Sequence, residues 1–386
     1  MKKMLILIIA GILLFTTTWA AADDLEDLLR LKNGIKPDSE NYEDMSFYIN
    51  QADSCPEGWE IKDGILYDKT LKTALYISEE AIVDGIVTVA PETRMICADA
   101  LQVQEPNREI QIQLPDGLEV IGERALTGPL QYCEDGFVQT VHVPASVRLI
   151  QEPLGECSLS LVSGKPSFIV DENNPRYTST SDGLLIDKLE DAVLWCASFP
   201  ETRTVTVPDG IRRIAPYAFA GCDEIVSVSL PDSLIEIGES AFCLMPGLTE
   251  ITIPENVLRI GYGNFSLVGR DEFEKWYLSE EGKVVIGLVN EQNGRPELTN
   301  KEVLQKFGID RQEGITFLGS AFILEPLEPT QSYPHDYTLE PCFLPVRCPA
   351  DAFFLDYLEY FQSQSTTLPA LQRTIIEPDG STRTLK

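Results

Sequence analysis

Apolar and polar positions alternate over short stretches of this chain, and each stretch runs into a proline. Val205-Thr206-Val207 precedes Pro208, Val228-Ser229-Leu230 precedes Pro231, and Ile251-Thr252-Ile253 precedes Pro254. A period of two marks a strand with one buried face, so the flanking members point inward and the middle residue outward. Proline ends the strand because it cannot donate to the ladder. Beyond each proline the spacing of apolar residues changes. Ile211 and Ile214, Leu234 and Ile237, and Val257 and Ile260 follow, and then Ala218-Phe219, Ala241-Phe242 and Asn264-Phe265. The three units lie 23 residues apart. A fixed period in this range, with apolar positions in register, predicts the stacked turns of a solenoid. One turn cannot bury its own apolar side, whereas a stack buries a continuous column.

Towards the N-terminus the pattern persists with more drift. Pro115, Leu118, Ile121, Gly122, Ala125 and Leu126 match every anchor. Pro144, Val147, Ile150 and Leu154 also match, with Gln151 in place of the glycine. Ala90, Thr93, Ile96, Ala100 and Leu101 match with the proline displaced to Pro91. Six units therefore begin at Ala90, Pro115, Pro144, Pro208, Pro231 and Pro254. The 64 residues between Pro144 and Pro208 exceed one turn and require an insertion.

That insertion has an echo near the start of the array. Asp63-Gly64-Ile65-Leu66-Tyr67-Asp68-Lys69 parallels Asp182-Gly183-Leu184-Leu185-Ile186-Asp187-Lys188. Asp-Gly ahead of an apolar alternation, then a polar turn and a second apolar run, reads as a β-hairpin. The array thus divides into two blocks, each preceded by a hairpin. Asp171, Asn173, Asn174 and Asp182 lack the spacing of a calcium-binding EF-hand loop. They read as a turn-rich connector.

The repeat resembles the bacterial surface leucine-rich repeat family of the BspA-like type, whose unit reads roughly L-x-x-I-x-I-P-x-x-V-x-x-I-G-x-x-A-F-x-x-C. The stretches Ile225 to Phe242 and Leu248 to Phe265 match it closely, and Cys222 falls at its cysteine position. The resemblance covers roughly residues 83–268. It implies a leucine-rich repeat solenoid of about six turns carrying β-hairpin inserts. It also implies a role in adhesion to host proteins or to other cells. The expected fold is mainly β with short helical and irregular segments, followed by a separate α+β C-terminal region.

Residues 1–22 have the form of a secretory signal peptide: Lys2 and Lys3, an apolar stretch from Met4 to Phe15, and Ala20-Ala21-Ala22 before Asp23. The expected organisation is then 23–82 as an N-terminal cap with the first hairpin, 83–268 as the solenoid with its insert at about 165–200, and 269–386 as a region of unknown family. Within the flanks, Leu25, Leu28, Leu29 and Leu31 suggest a short amphipathic helix. Residues 284–289 read as a strand and 299–307 as a helix, while 350–364 carry an aromatic stripe at helical spacing.

Charge narrows the function classes. The two leader lysines aside, 28 Lys and Arg face 61 Asp and Glu. Phosphate contacts need clustered cations, so nucleic acid is not an expected partner. Insertion of the mature chain into a membrane is not expected either. Nine cysteines are present, an odd number that leaves at least one thiol unpaired. Cys97, Cys157, Cys222 and Cys243 fall on inward turns and read as small core residues, and Cys342 with Cys348 is the best candidate disulfide. There is no Cys-x-x-Cys and no His-Glu-x-x-His, so no metal or other cofactor is expected.

Only His142 and His335 could serve a nucleophile, and no Gly-x-Ser-x-Gly elbow occurs. Catalysis is not expected. The outward strand residues stack instead into a candidate binding face, namely Gln113, His142, Thr206, Ser229 and Thr252, with Thr88 in the same phase. The functional expectation is an exported or cell-surface repeat protein that binds an extracellular protein or glycan. The alternative is a secreted hydrolase with its active site in the C-terminal region and the repeats as substrate-binding module.

Overall fold

The computed structural model describes residues 58–68, 72–98, 100, 101, 110–123, 125, 126, 139–151, 165–197, 201–261, 264, 265, 268, 271 and 279, together with short segments at 315–318, 323–324, 346–349, 373–376 and 382–385. The leader, the predicted 23–35 helix and the predicted elements at 284–289, 299–307 and 350–364 lie outside the described residues.

Two rows of parallel strands run along the array. Each repeat contributes a longer strand before its proline and a two-residue strand after it. The short strands are Met95–Ile96, Val120–Ile121, Leu149–Ile150, Arg213–Ile214, Glu236–Ile237 and Arg259–Ile260. In the first block the longer strands Ile86–Thr88, Ile110–Gln113 and Gln139–Val143 pair in parallel. In the second, Thr204–Thr206, Ser227–Ser229 and Glu250–Ile253 do the same. The described residues form a β-solenoid with almost no helix, as the 23-residue period requires.

The bend between the two strands has one form throughout. Leu118 N donates to Pro115 O at 2.9 Å, Leu234 N to Pro231 O at 3.0 Å and Val257 N to Pro254 O at 3.2 Å. These are the three-residue closures of β-turns. Thr93 N donates to Ala90 O at 3.0 Å, so the unit with the displaced proline turns in the same way. Proline therefore supplies the acceptor that opens the turn and gives up a donor the ladder does not need.

Each hairpin is the middle and last strand of a three-stranded antiparallel unit. Trp59–Lys62, Ile65–Asp68 and Thr73–Ile77 form the first, and Tyr177–Ser179, Leu184–Asp187 and Ala192–Cys196 the second. The Asp63-Gly64 turn has φ of 51° and 74°, the left-handed pair of a tight hairpin. The last strand of each unit pairs in parallel with the first short strand of its block: Thr73–Ile77 with Met95–Ile96, and Ala192–Cys196 with Arg213–Ile214. The hairpins thus start the short-strand row of each block. Asp171 and Asn173 form a local turn in which Asp171 Oδ1 accepts from Asn173 N at 2.8 Å, while buried Asn174 donates to Pro144 O and Val147 O.

The long spacing between Pro144 and Pro208 hides one further solenoid strand. Ser167–Val170 pairs in parallel with the 139–143 strand, with Phe168 opposite Val141. It falls inside the region expected to be insert, and it lacks the proline that marks the other strands. Past residue 268 the motif ends but the rows continue. Ile315–Phe317, Val346–Pro349 and Arg373–Ile376 add in parallel to the 250–253 strand, and Thr382–Leu385 closes the row antiparallel.

One apolar core runs from Ile65 to Val268 through both blocks. Its centre is a column of rings. Phe219 and Phe242 stack with centroids 5.0 Å apart, and Phe242 and Phe265 at 6.0 Å with planes 1° apart. Tyr177 contributes a polar handle, since its hydroxyl accepts from Ile150 N at 2.8 Å. Tyr177→Phe strands that buried amide and is expected to cost about 1–3 kcal/mol. Urea titration of the variant checks it.

Candidate functional site

Strand alternation decides which side chains reach solvent. Gln113, His142, Thr206, Ser229 and Thr252 are all exposed, as is Thr88. Their neighbours Ile112, Val141, Val205, Val228 and Ile251 are buried, none more than 3% exposed. Register then sets the columns. Thr88 lies opposite Gln113, and Gln113 opposite His142. Thr206 lies opposite Ser229, and the pairing of Val228 with Ile251 sets Ser229 beside Thr252.

The five residues do not form a single row. The first block's longer strands end at Ser167–Val170, the second block's begin at Thr204–Thr206, and the two strands belong to different sheets. The second hairpin unit intervenes in the chain. Asp182 Oδ2 accepts from Thr206 N at 3.3 Å, filling the place a preceding strand would take. The result is two ladders. Thr88, Gln113 and His142 lead to Ile169, an exposed apolar residue. Thr206, Ser229 and Thr252 lead to the register position of Thr316. Parallel strands set successive members about 4.8 Å apart.

The second ladder carries a shallow depression of about 310 Å³, lined by Ser227, Ser229, Glu250, Thr252, Asp232 and Leu318 among others. Its floor offers hydroxyls that both donate and accept. Its rim offers two carboxylates, acceptors only, and one apolar side chain that is 50% exposed. Such a surface can hydrogen-bond polyhydroxylated groups or the edge and side chains of a peptide. His142 lies in the other ladder, away from these hydroxyls. Among the described residues no group of three or more His, Cys, Asp or Glu could hold a metal ion.

Asp232 was within reach of sequence reasoning, because an acidic residue follows the proline in four units: Asp116, Asp209, Asp232 and Glu255. All four are exposed. Leu318 lies beyond the period and carries no such signal. On the short-strand side the exposed charges pair weakly. Arg94 and Glu119 approach to 3.6 Å, and Arg259 and Glu236 to 3.9 Å, contacts worth little in water.

Residues 196–276 match the family model described as BspA type leucine rich repeat region (6 copies). No curated protein matches the chain. Among solved structures, a leucine-rich repeat protein from Eubacterium ventriosum aligns at 19% identity over 48% of this chain and 52% of its own, with a TM-score of 0.34. A leucine rich cell surface protein from Faecalibacterium prausnitzii aligns at 22% identity over the same shares, also with a TM-score of 0.34. The pneumococcal vaccine antigen PcpA aligns at 14% identity over 66% of this chain and 80% of its own, with a TM-score of 0.27. This chain thus spans about half the length of the first two. The matched region holds the three units at Pro208, Pro231 and Pro254, the ring column and the second ladder, and it is this part of the chain that is similar to the BspA-type leucine rich repeat region.

Proposed function

We propose that this is an exported, non-catalytic interaction protein that binds an extracellular protein or glycan through the Thr206–Ser229–Thr252 ladder. The observation that carries this reading is the register-locked hydroxyl column beside an acidic-rimmed depression. Extended polar faces of this kind are what solenoids offer to partners. The leader pattern of residues 1–22 and the BspA-type repeat region support an extracellular setting. No helix among the described residues is long and apolar enough to cross a membrane.

The test is a protein and glycan array probed with residues 23–386, followed by the triple variant Thr206→Lys, Ser229→Lys, Thr252→Lys. These side chains point outward, so each change should stay within about 0.5 kcal/mol of stability. Binding of an array hit is expected to fall at least about tenfold, or 1.4 kcal/mol. Mutual repulsion of the lysines would be relieved by salt, whereas steric blockage would not. An unchanged affinity would overturn the assignment of this ladder.

A further inference from the structure

We infer that Cys196 and Cys222 join in a disulfide when the chain folds in an oxidising compartment, linking the second hairpin unit to the first repeat turn after it. Cys196 ends the Ala192–Cys196 strand, and Cys222 lies in the tight turn behind Ala218-Phe219. Both are 0% exposed. Both are free thiols in this structure: Cys222 Sγ donates to Cys196 O at 3.5 Å and Cys196 Sγ to Ala197 O at 3.5 Å. The backbone between them is already tied, since Cys196 N donates to Ala218 O at 2.8 Å.

A third group points to thiol chemistry rather than simple packing. Lys165 is 1% exposed, its Nζ donates to that same Ala218 O at 2.8 Å, and it stands 4.2 Å from the centre of the Trp195 ring. An ammonium in an apolar interior needs compensation. No carboxylate among the described residues is in ion-pair contact with it, and its charge acts on the Asp223 carboxyl as well as on the Cys222 thiol. Burial alone would push that thiol up; the bonds from Cys196 and the Lys165 charge outweigh burial and lower it. Cys196 is held up, by burial first and by Cys222 second. Within the folded chain the Lys165 charge thus favours thiolate at Cys222. By contrast, burial pushes Cys97 and Cys243 up to about 12. Cysteine at position 222 matches the resembled repeat unit, but the turns that follow in this chain do without it. One period on, the position of Cys222 is occupied by Met245, and then by Val268, both fully buried.

The oxidant is a disulfide, small or carried by an oxidoreductase. The Cys222 thiolate attacks one of its sulfurs, forming a mixed disulfide and expelling a thiolate. Cys196 then loses its proton and attacks the Cys222 sulfur, expelling the second thiolate. Two protein thiols are oxidised, one disulfide is reduced to two thiols, and the protein protons pass to the leaving thiolates. Since both sulfurs are enclosed in the folded chain, the exchange belongs to folding, before the 216–225 turn closes.

Residues 23–386 refolded in glutathione redox buffer, alkylated in denaturant and digested with trypsin without reduction provide the test. The expected product is peptide 189–203, whose single cysteine is Cys196, joined to peptide 214–259 through Cys222, with Cys243 alkylated. The joined species should vanish on reduction and in Cys222→Ser, and persist in Cys243→Ser. Recovery of Cys196 and Cys222 both alkylated from the refolded wild type overturns the inference, as does Cys196 linked to Cys243. Neither result depends on a variant folding.

Discussion

Replacing Phe242 by alanine is expected to remove about 3–5 kcal/mol of stability. The ring is 0% exposed and sits between two others, with Phe219 at 5.0 Å and Phe265 at 6.0 Å. Truncation leaves a cavity in mid-column, where neither neighbour can close the gap without leaving its own turn. In a solenoid each turn is stabilised mainly by adjacent turns, so the loss should spread to both sides. Phe265→Ala should cost less, because that ring is already 7% exposed whereas Phe242 is 0% exposed. Urea titrations of the two variants give the comparison, and an unchanged midpoint for Phe242→Ala would contradict the stacking.

Gly238→Ala is the second large effect, and its cause is space. A Cβ at this position would lie 2.4 Å from Pro216 N and 2.8 Å from Ala215 C, both backbone atoms of the preceding turn. Gly122 and Gly261 meet the turn before them in the same way, at 2.5 Å from Ala98 N and 2.3 Å from Glu239 N. The close approach accompanies a short bond, Gly238 N to Ile214 O at 2.8 Å, so relief of the clash separates the two turns. A cost of about 1–3 kcal/mol or more follows from overpacking against atoms that cannot swing aside. Gly210 gives the contrast. Its φ is 93° but nothing lies within 4 Å of the added carbon. Gly210→Ala therefore bears only the left-handed conformation, about 1–2 kcal/mol. The larger destabilisation is expected at Gly238 despite its ordinary φ, as paired melting curves would show.

The repeat was legible because period and alternation are written directly in residue order. Val205-Thr206-Val207 fixes which side is buried without reference to any distant residue. The Ala-Phe step, recurring in phase, places the rings in one column before any contact is known. Ser167–Val170 escaped because its defining feature is a partner 27 residues away, and it lacks the terminal proline. The break between the two ladders escaped for a related reason. It is made by Asp182 reaching Thr206 N from a hairpin, a contact between segments that sequence order does not bring together. Asn264, which stands where four of the other five units have alanine, shows how a departure from pattern can be structural. Its amide donates to Gly238 O and Gly261 O, both at 2.8 Å, and its Oδ1 accepts from Phe242 N at 3.1 Å. It thereby replaces the turn-to-turn bond that Phe219 N makes to Ala241 O at 2.9 Å. Lys165 carried no sequence signal at all, since nothing in its neighbourhood distinguishes it from a surface lysine.

Amide hydrogen exchange on residues 23–386 tests the stacked-turn account most directly. Slow exchange is predicted at amides that bond from one turn to the next, among them Val207 to Ser229 O, Ala215 to Val193 O, Gly238 to Ile214 O and Gly261 to Ile237 O. The turn residues Asp209, Asp232 and Glu255, exposed beyond each proline, should exchange fast. Protection should therefore rise and fall with the 23-residue period between Pro208 and Phe265. Continuous protection over ten or more residues, as a helix would give, or protection without that period, would contradict the account.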